Sequence, residues 1–216
     1  MKSWPSCVVF FCLAGAGYAV QAAEVSADAA RLIATVDAMD VQHHWPAGEH
    51  VDWQTGVPDG KPEPAEGKHT HCSAFVAAAA KGLGVYILRP PEHGQILLAN
   101  AQYDWLESAG AGRGWRSLTD GAQAQLAANR GELVVATYRN HRDNKPGHIA
   151  IVRPSGKPLR DIIQEGPQIT QAGGSNYTST SLKHGFAGHP AAWAHQEVRY
   201  YAHAVTWATG LPSPRR

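Results

Sequence analysis

Residues 67 to 84 read GKHTHCSAFVAAAAKGLG, two histidines and a cysteine that run straight into an alanine-rich segment. Alanine is the best helix former, Phe75 and Val76 give the run an apolar side, and Gly82 and Gly84 stop it, which predicts a helix over residues 72 to 81. Cys72 then stands in the first turn, where unpaired backbone N–H groups and the positive end of the helix dipole favour a thiolate. That is a nucleophile's position. A metal reading competes with it, because His69, His71 and Cys72 are all ligand types. A structural zinc ion takes four such ligands and a catalytic one three plus water. Along an extended segment His69 and His71 point to one side and Cys72 to the other, and such close neighbours chelate poorly together. No second cluster follows at a usual spacing, and His43, His44, His184 and His189 would have to converge through the fold, so no metal is assigned. The plainest alternative is a cysteine that is simply a small core residue.

The environment of that cysteine depends on the N-terminus. Lys2 precedes an uncharged apolar run from residue 7 to residue 20, which ends in Val20-Gln21-Ala22. This is the layout of a secretory signal peptide, too short and glycine-containing to span a bilayer comfortably, with cleavage expected after Ala22. A lipid anchor does not fit, since Leu13-Ala14-Gly15 follows Cys12 when it would have to precede it. The leader carries Cys7 and Cys12, so Cys72 is the one cysteine of the mature chain. A lone thiol in an exported protein forms no internal disulfide and is open to oxidation, which calls for a reason to keep it. The 19 Lys and Arg less Lys2, against 18 Asp and Glu, leave no net charge, and nothing resembles the basic footprint that nucleic acid requires. We expect a secreted or periplasmic monomer with no stable membrane insertion. Residues 1 to 22 would be the signal peptide, 23 to 208 one domain, and the tail TGLPSPRR, 209 to 216, disordered.

The rest of the chain divides by composition. In VSADAARLIATVDAMD, Ser26 is a ready N-cap, and Ala29, Leu32, Ile33, Val36 and Met39 recur at helical spacing. Residues 42 to 70, rich in Pro, Gly, His and Trp, show no sustained period and read as a long loop of functional kind. Further helices are predicted over 92 to 108, entered through Pro90-Pro91, and over 120 to 129. Then the character changes. GELVVATY (131 to 138), GHIAIVRP (147 to 154), DIIQEG with PQITQAGG (161 to 174) and EVRYYAHAV (197 to 205) are short, β-branched or aromatic, and separated by turn residues. They predict strands of an antiparallel sheet, and so an α+β domain with a helical N-terminal half packed on it.

A cysteine nucleophile needs a base that exchanges protons near neutral pH and later protonates the leaving amine. Of the 12 histidines, His148 is distinctive: it opens the strand Ile149-Ala150-Ile151-Val152, fixed by the ladder yet at the sheet's end. A third polar group orients an imidazole by taking its other N–H. The following strand offers Gln168 and Gln171; Gln171, just before the glycines, is favoured, with Asn176 in reserve. Trp53, in the long loop, together with His71 and Ser73 beside the cysteine, are the candidate substrate-binding residues, while Trp105 fits a core position with Leu97, Leu98 and Ala101.

HCSAFVAAAAKGLGV, GELVVATY and GHIAIV, in this order, resemble the nucleophile helix, the Gly-acid-Leu-Val strand and the His-initiated strand of the NlpC/P60-like, papain-related cysteine amidases and peptidases. The nearest likeness is to the peptidoglycan amidase effectors of type VI secretion. The resemblance spans roughly residues 68 to 174. It places the family's cysteine at Cys72, its histidine at His148 and its variable third residue near Gln171. It implies hydrolysis of amide bonds in peptidoglycan stem peptides, a papain-like fold, an oxyanion hole that uses the Cys72 backbone N–H, and no cofactor. The leader points to export for the producer's own periplasm or surroundings. Two rivals remain: a non-catalytic cell-envelope binding protein on the same fold, and a Cys-His acyltransferase.

Overall fold

The computed structural model describes residues 24 to 63 and 69 to 207; the expected leader and tail lie outside the described residues. Its centre is a six-stranded sheet, antiparallel at every pairing, in the order β1-β6-β2-β3-β4-β5. The strands are β1 (Arg116–Leu118), β2 (Leu133–Tyr138), β3 (His148–Val152), β4 (Gln168–Gln171), β5 (Tyr177–Ser181) and β6 (Arg199–His203). Seven α-helices accompany them among the described residues: α1 (Ala27–Asp37), α2 (Cys72–Gly82), α3 (Leu98–Ser108), α4 (Gly121–Asn129), α5 (Leu159–Glu165), α6 (Leu182–Gly185) and α7 (Pro190–Ala194). The protein is thus a mixed α+β fold.

Every residue of β2 and β3 is buried, because the sheet is covered on both faces. Leu133, Val135, Ile149 and Ile151 join the core of α1 and α2, with Phe75, Trp45 and Leu32. Their alternates Val134, Ala136, Tyr138, Ala150 and Val152 join a second core with Ala124, Leu182, Phe186 and Ala192. The sequence suggests helices on one side only. The second layer comes from α4, predicted over 120 to 129, and from short α6 and α7, rich in Gly, His and Ala, which carry too little periodicity to be recognised.

The predicted first helix is capped as expected, with the Ser26 side chain accepting from the Ala29 N–H at 3.1 Å. Asp120 caps α4 in the same way through Gln123. α2 is buried almost all round, Cys72 to Ala80 without interruption, which its alanines permit by bringing the helix close to the sheet. Two expectations are corrected. The predicted helix over 92 to 108 begins only at Leu98, since Leu97 adopts φ +54° and residues before it, with Gly94 among them, form turns. DIIQEG is not strand but α5: only Ile162 turns inward while Ile163 is 71 % exposed, and Gly166 at φ +77° ends the helix against Leu182. The edge strand β5, Ser/Thr-rich and half-exposed, and the three-residue β1 lack the apolar run that reveals the central strands.

The loop from 42 onward folds over α2. Trp45 is buried at φ +55°, edge-on to Phe75 at 5.3 Å, and its indole N–H donates to the Trp53 carbonyl. Gly56 covers it so closely that a Cβ there would lie 2.2 Å from the ring. No helix among the described residues is long and apolar enough to cross a membrane.

Candidate active site

Cys72 is the first residue of α2, and His71 at the N-cap position offers no side-chain cap. The N–H groups of the first turn are therefore open to the sulfur, and those of Cys72 and Ser73 both favour its thiolate, as does, more strongly, the Ile149 N–H of β3. Burial outweighs all three and pushes the Cys72 thiol up to about 11. The helix N-terminus is where the sequence places it, but a thiol only 3 % exposed rests protonated at neutral pH. It lines a cleft of about 640 Å³ together with His50, Glu63, His69, Ile96, Leu97 and Pro146.

His148 opens β3 and is equally buried. Its Nε2 lies 2.9 Å from Gln171 Oε1 at the end of neighbouring β4. An amide oxygen only accepts, so Nε2 carries the hydrogen and Nδ1 keeps its lone pair, the tautomer a general base requires. The amide orientation is fixed independently, because Gln171 Nε2 donates to the Ser175 carbonyl at 3.2 Å. Gly185 approaches so near that a Cβ there would lie 2.5 Å from Gln171 Oε1. Burial lowers the His148 pKa, partly offset by the Gln171 bond. The ring packs edge-on to Phe186 at 4.6 Å and stacks on His189 at 5.7 Å. Among the described residues the thiol and His148 share no hydrogen bond; the Ile149 N–H that meets the sulfur belongs to the next residue along the chain.

The start of β3 is held by groups that sequence reading passes over. A Cβ at Gly147 would lie 2.1 Å from the Tyr138 carbonyl oxygen and 2.6 Å from Asn100 Oδ1, so no other residue fits. Asn100 donates to the Lys145 carbonyl and accepts from the Asn140 N–H, and Asn140 donates to the Pro146 carbonyl. Gln102, fully buried, donates to the carbonyls of Ser73 and Leu88 and so ties α3 to the first turn of α2. In LANAQYDW these two polar residues look like solvent-facing helix positions; only their burial shows otherwise.

The remaining candidates separate. His71 and Ser73 are buried and line the cleft, and His71 Nε2 is 2.8 Å from the Glu49 carbonyl, with burial holding its pKa below the ordinary value. Trp53 lies under Lys81, whose Nζ is 5.4 Å from its ring, toward the opposite end of α2 from Cys72 and outside the cleft lining. Asn176 donates to the carbonyls of Val41, His44 and Trp45, so it clamps the long loop and leaves His148 to Gln171. Trp105 packs on the core, edge-on to Tyr86. His69 is paired with Glu63, His43 with Asp40 and His184 with Tyr177. No group of three His, Cys, Asp or Glu among the described residues is arranged to hold a metal ion.

No protein-family model matches the chain, and a search of curated proteins finds no match either.

Proposed function

We propose that the protein is an exported cysteine hydrolase of the NlpC/P60-like, papain-like kind that cleaves amide bonds, with peptidoglycan stem peptides as its substrate class. The observation that carries the reading is a cysteine on an uncapped helix start that lines a cleft and meets the Ile149 N–H, the residue after a buried histidine whose tautomer is fixed by Gln171. In this reading the Cys72 proton passes to His148 Nδ1 as the sulfur attacks the amide carbonyl. The thiol is not ionised beforehand: burial keeps both partners neutral until substrate displaces water and brings them together. The carbonyl electron pair moves to oxygen, where the Cys72 and Ser73 N–H groups can hold it. Collapse breaks the C–N bond, and the proton on Nδ1 leaves with the amine. Water then adds to the thioester, giving its proton to His148, and the C–S bond breaks to restore the thiol.

The burial of Cys72 also favours a second reading, a cell-envelope binding protein in which the thiol is inert. Purified protein and its Cys72→Ala and His148→Ala forms, incubated with peptidoglycan fragments and analysed by mass, separate the two. Cleavage by the unsubstituted chain, lost by about 10³-fold or more in both variants, is expected for the hydrolase. Binding without cleavage in all three would establish the binding protein, and products extended by an added amine would identify an acyltransferase.

A further inference from the structure

The cleft that Cys72 lines also takes the turn ahead of α3, and this turn carries a largely exposed isoleucine into the lining. Ile96 is 70 % exposed, Leu98 two residues on is fully buried, and Leu97 between them adopts φ +54°, a conformation uncommon for leucine. The turn is held in place by two hydrogen bonds of Gln95. Its carbonyl accepts from the Leu98 N–H at 3.3 Å, and its Nε2 donates to the Val51 carbonyl at 3.2 Å. We propose that Ile96 is a specificity-determining residue, an apolar seat for an uncharged side chain beside the amide under attack, so that in a stem peptide the bond taken adjoins an alanyl residue.

What the cleft leaves uncommitted decides the chemistry it selects. Its titratable side chains other than Cys72 already have partners: His50 lies 2.6 Å from Asp59, His69 2.8 Å from Glu63, and His71 2.8 Å from the Glu49 carbonyl. An ionised side chain entering there would exchange its hydration for groups that are already engaged, which is unfavourable. Residues 96 to 99 and Pro146 offer the opposite, apolar side chains only, and covering exposed Ile96 removes carbon surface from water. The scale brings this seat close to the sulfur. A volume of about 640 Å³ is roughly 11 Å across if round, the reach of about three extended residues, so the residue that meets Ile96 stands at the bond under attack or next to it. A stem peptide carries alanyl residues alongside ionised ones, and only the alanyl side chains match. The position of the cut rests on the hydrolase reading of Cys72; the preference for an apolar residue at Ile96 does not.

The test reads binding and cleavage separately. Its probes are the stem pentapeptide L-Ala-γ-D-Glu-diaminopimelate-D-Ala-D-Ala and the same peptide with seryl in place of every alanyl residue. Calorimetric titration uses the Cys72→Ala form, alone and combined with Ile96→Ser or Ile96→Leu; Ile96 is too exposed for either change to unfold the protein. The alanyl peptide is expected to bind about five- to tenfold tighter than the seryl one, a preference that Ile96→Ser reduces to less than about twofold and Ile96→Leu keeps. With Cys72 intact, mass analysis of the alanyl peptide is expected to place the cut next to an alanyl residue. Equal affinity for the two peptides, no binding of the alanyl peptide, or a preference that survives Ile96→Ser would overturn the proposal, as would a cut between the two ionised residues. A preference that depends on Ile96 in a protein that cleaves neither peptide would leave the apolar seat standing and count against the hydrolase reading.

Discussion

The two faces of the central sheet are built from different materials. On one, α2 presses an unbroken, mostly alanine buried run against Leu133, Val135, Ile149 and Ile151, with Cys72 as its first residue. On the other, which also takes the alanines of α4, His148 meets Gln171, Phe186 and His189, and Tyr138 lies against His189. Strand alternation sends residues 148 and 149 to opposite faces. Cys72 and the His148 side chain thus belong to different layers, joined through β3, whose Ile149 N–H meets the sulfur. An apolar face can deliver a helix terminus with precision, whereas a buried imidazole needs hydrogen-bonding neighbours, and the two requirements are met by separating them across one strand.

The sharpest way to break this comparison is to remove one partner from each face. Cys72→Ala and His148→Ala should each lower amide cleavage by about 10³-fold or more while leaving the fold intact by circular dichroism, and retention of activity by either would dissolve the proposed pairing. Packing distinguishes the faces next. Phe75→Ala and Phe186→Ala should each cost about 3–5 kcal/mol in chemical denaturation, because both rings are fully buried. Only Phe186→Ala should also move the His148 titration; an equal shift from Phe75→Ala would mean that the faces are not independent.

Gln171→Ala leaves a buried Nε2–H without its acceptor, a loss of about 1–3 kcal/mol and hence about 10- to 100-fold in cleavage rate. A variant as active as the parent would show that the ring needs no such partner. The thiol offers a test by pH. Since burial raises its pKa to about 11, the thiolate fraction grows with pH throughout the neutral range, and alkylation by iodoacetamide should quicken about tenfold per unit from pH 7 to pH 10. A plateau near pH 6 to 7 would instead reveal a standing thiolate–imidazolium pair. The smallest effect is expected at Trp53, which sits by Lys81 away from the cleft: Trp53→Ala should change cleavage by less than about twofold, with any cost appearing in stability.

The longer elements on both faces are legible in the chain. Ala-rich composition with glycine stops marks α2 to within a residue, Ser26 and Asp120 announce the starts of α1 and α4, and the β-branched runs mark β2, β3 and β6. The short elements of the face that holds His148 are not legible to the same degree. α6 and α7 are four and five residues long, and β5 is a half-exposed edge of Ser, Thr and Tyr, so none carries a sustained pattern. Ile162-Ile163 looks like strand because β-branching is a weak local preference, which the tertiary position of α5, with Ile162 inward and Gly166 against Leu182, overrides. Asn100 and Gln102 were hidden for another reason: a polar residue on a helix reads as solvated, and only the burial of α3 turns these two into clamps on the site.

By itself the sequence determined which residues stand at element starts, Cys72 at a helix and His148 at a strand, because propensity, glycine stops and β-branching act over a few residues. The tertiary structure alone decided the protonation of the site, since the thiol's rise and the imidazole's fall both come from burial by distant segments. It also decided that Gln171 and not Asn176 reaches the ring, that Trp53 lies away from the cleft, and that His189 closes over His148. These are distances between residues far apart in the chain, which no local preference encodes.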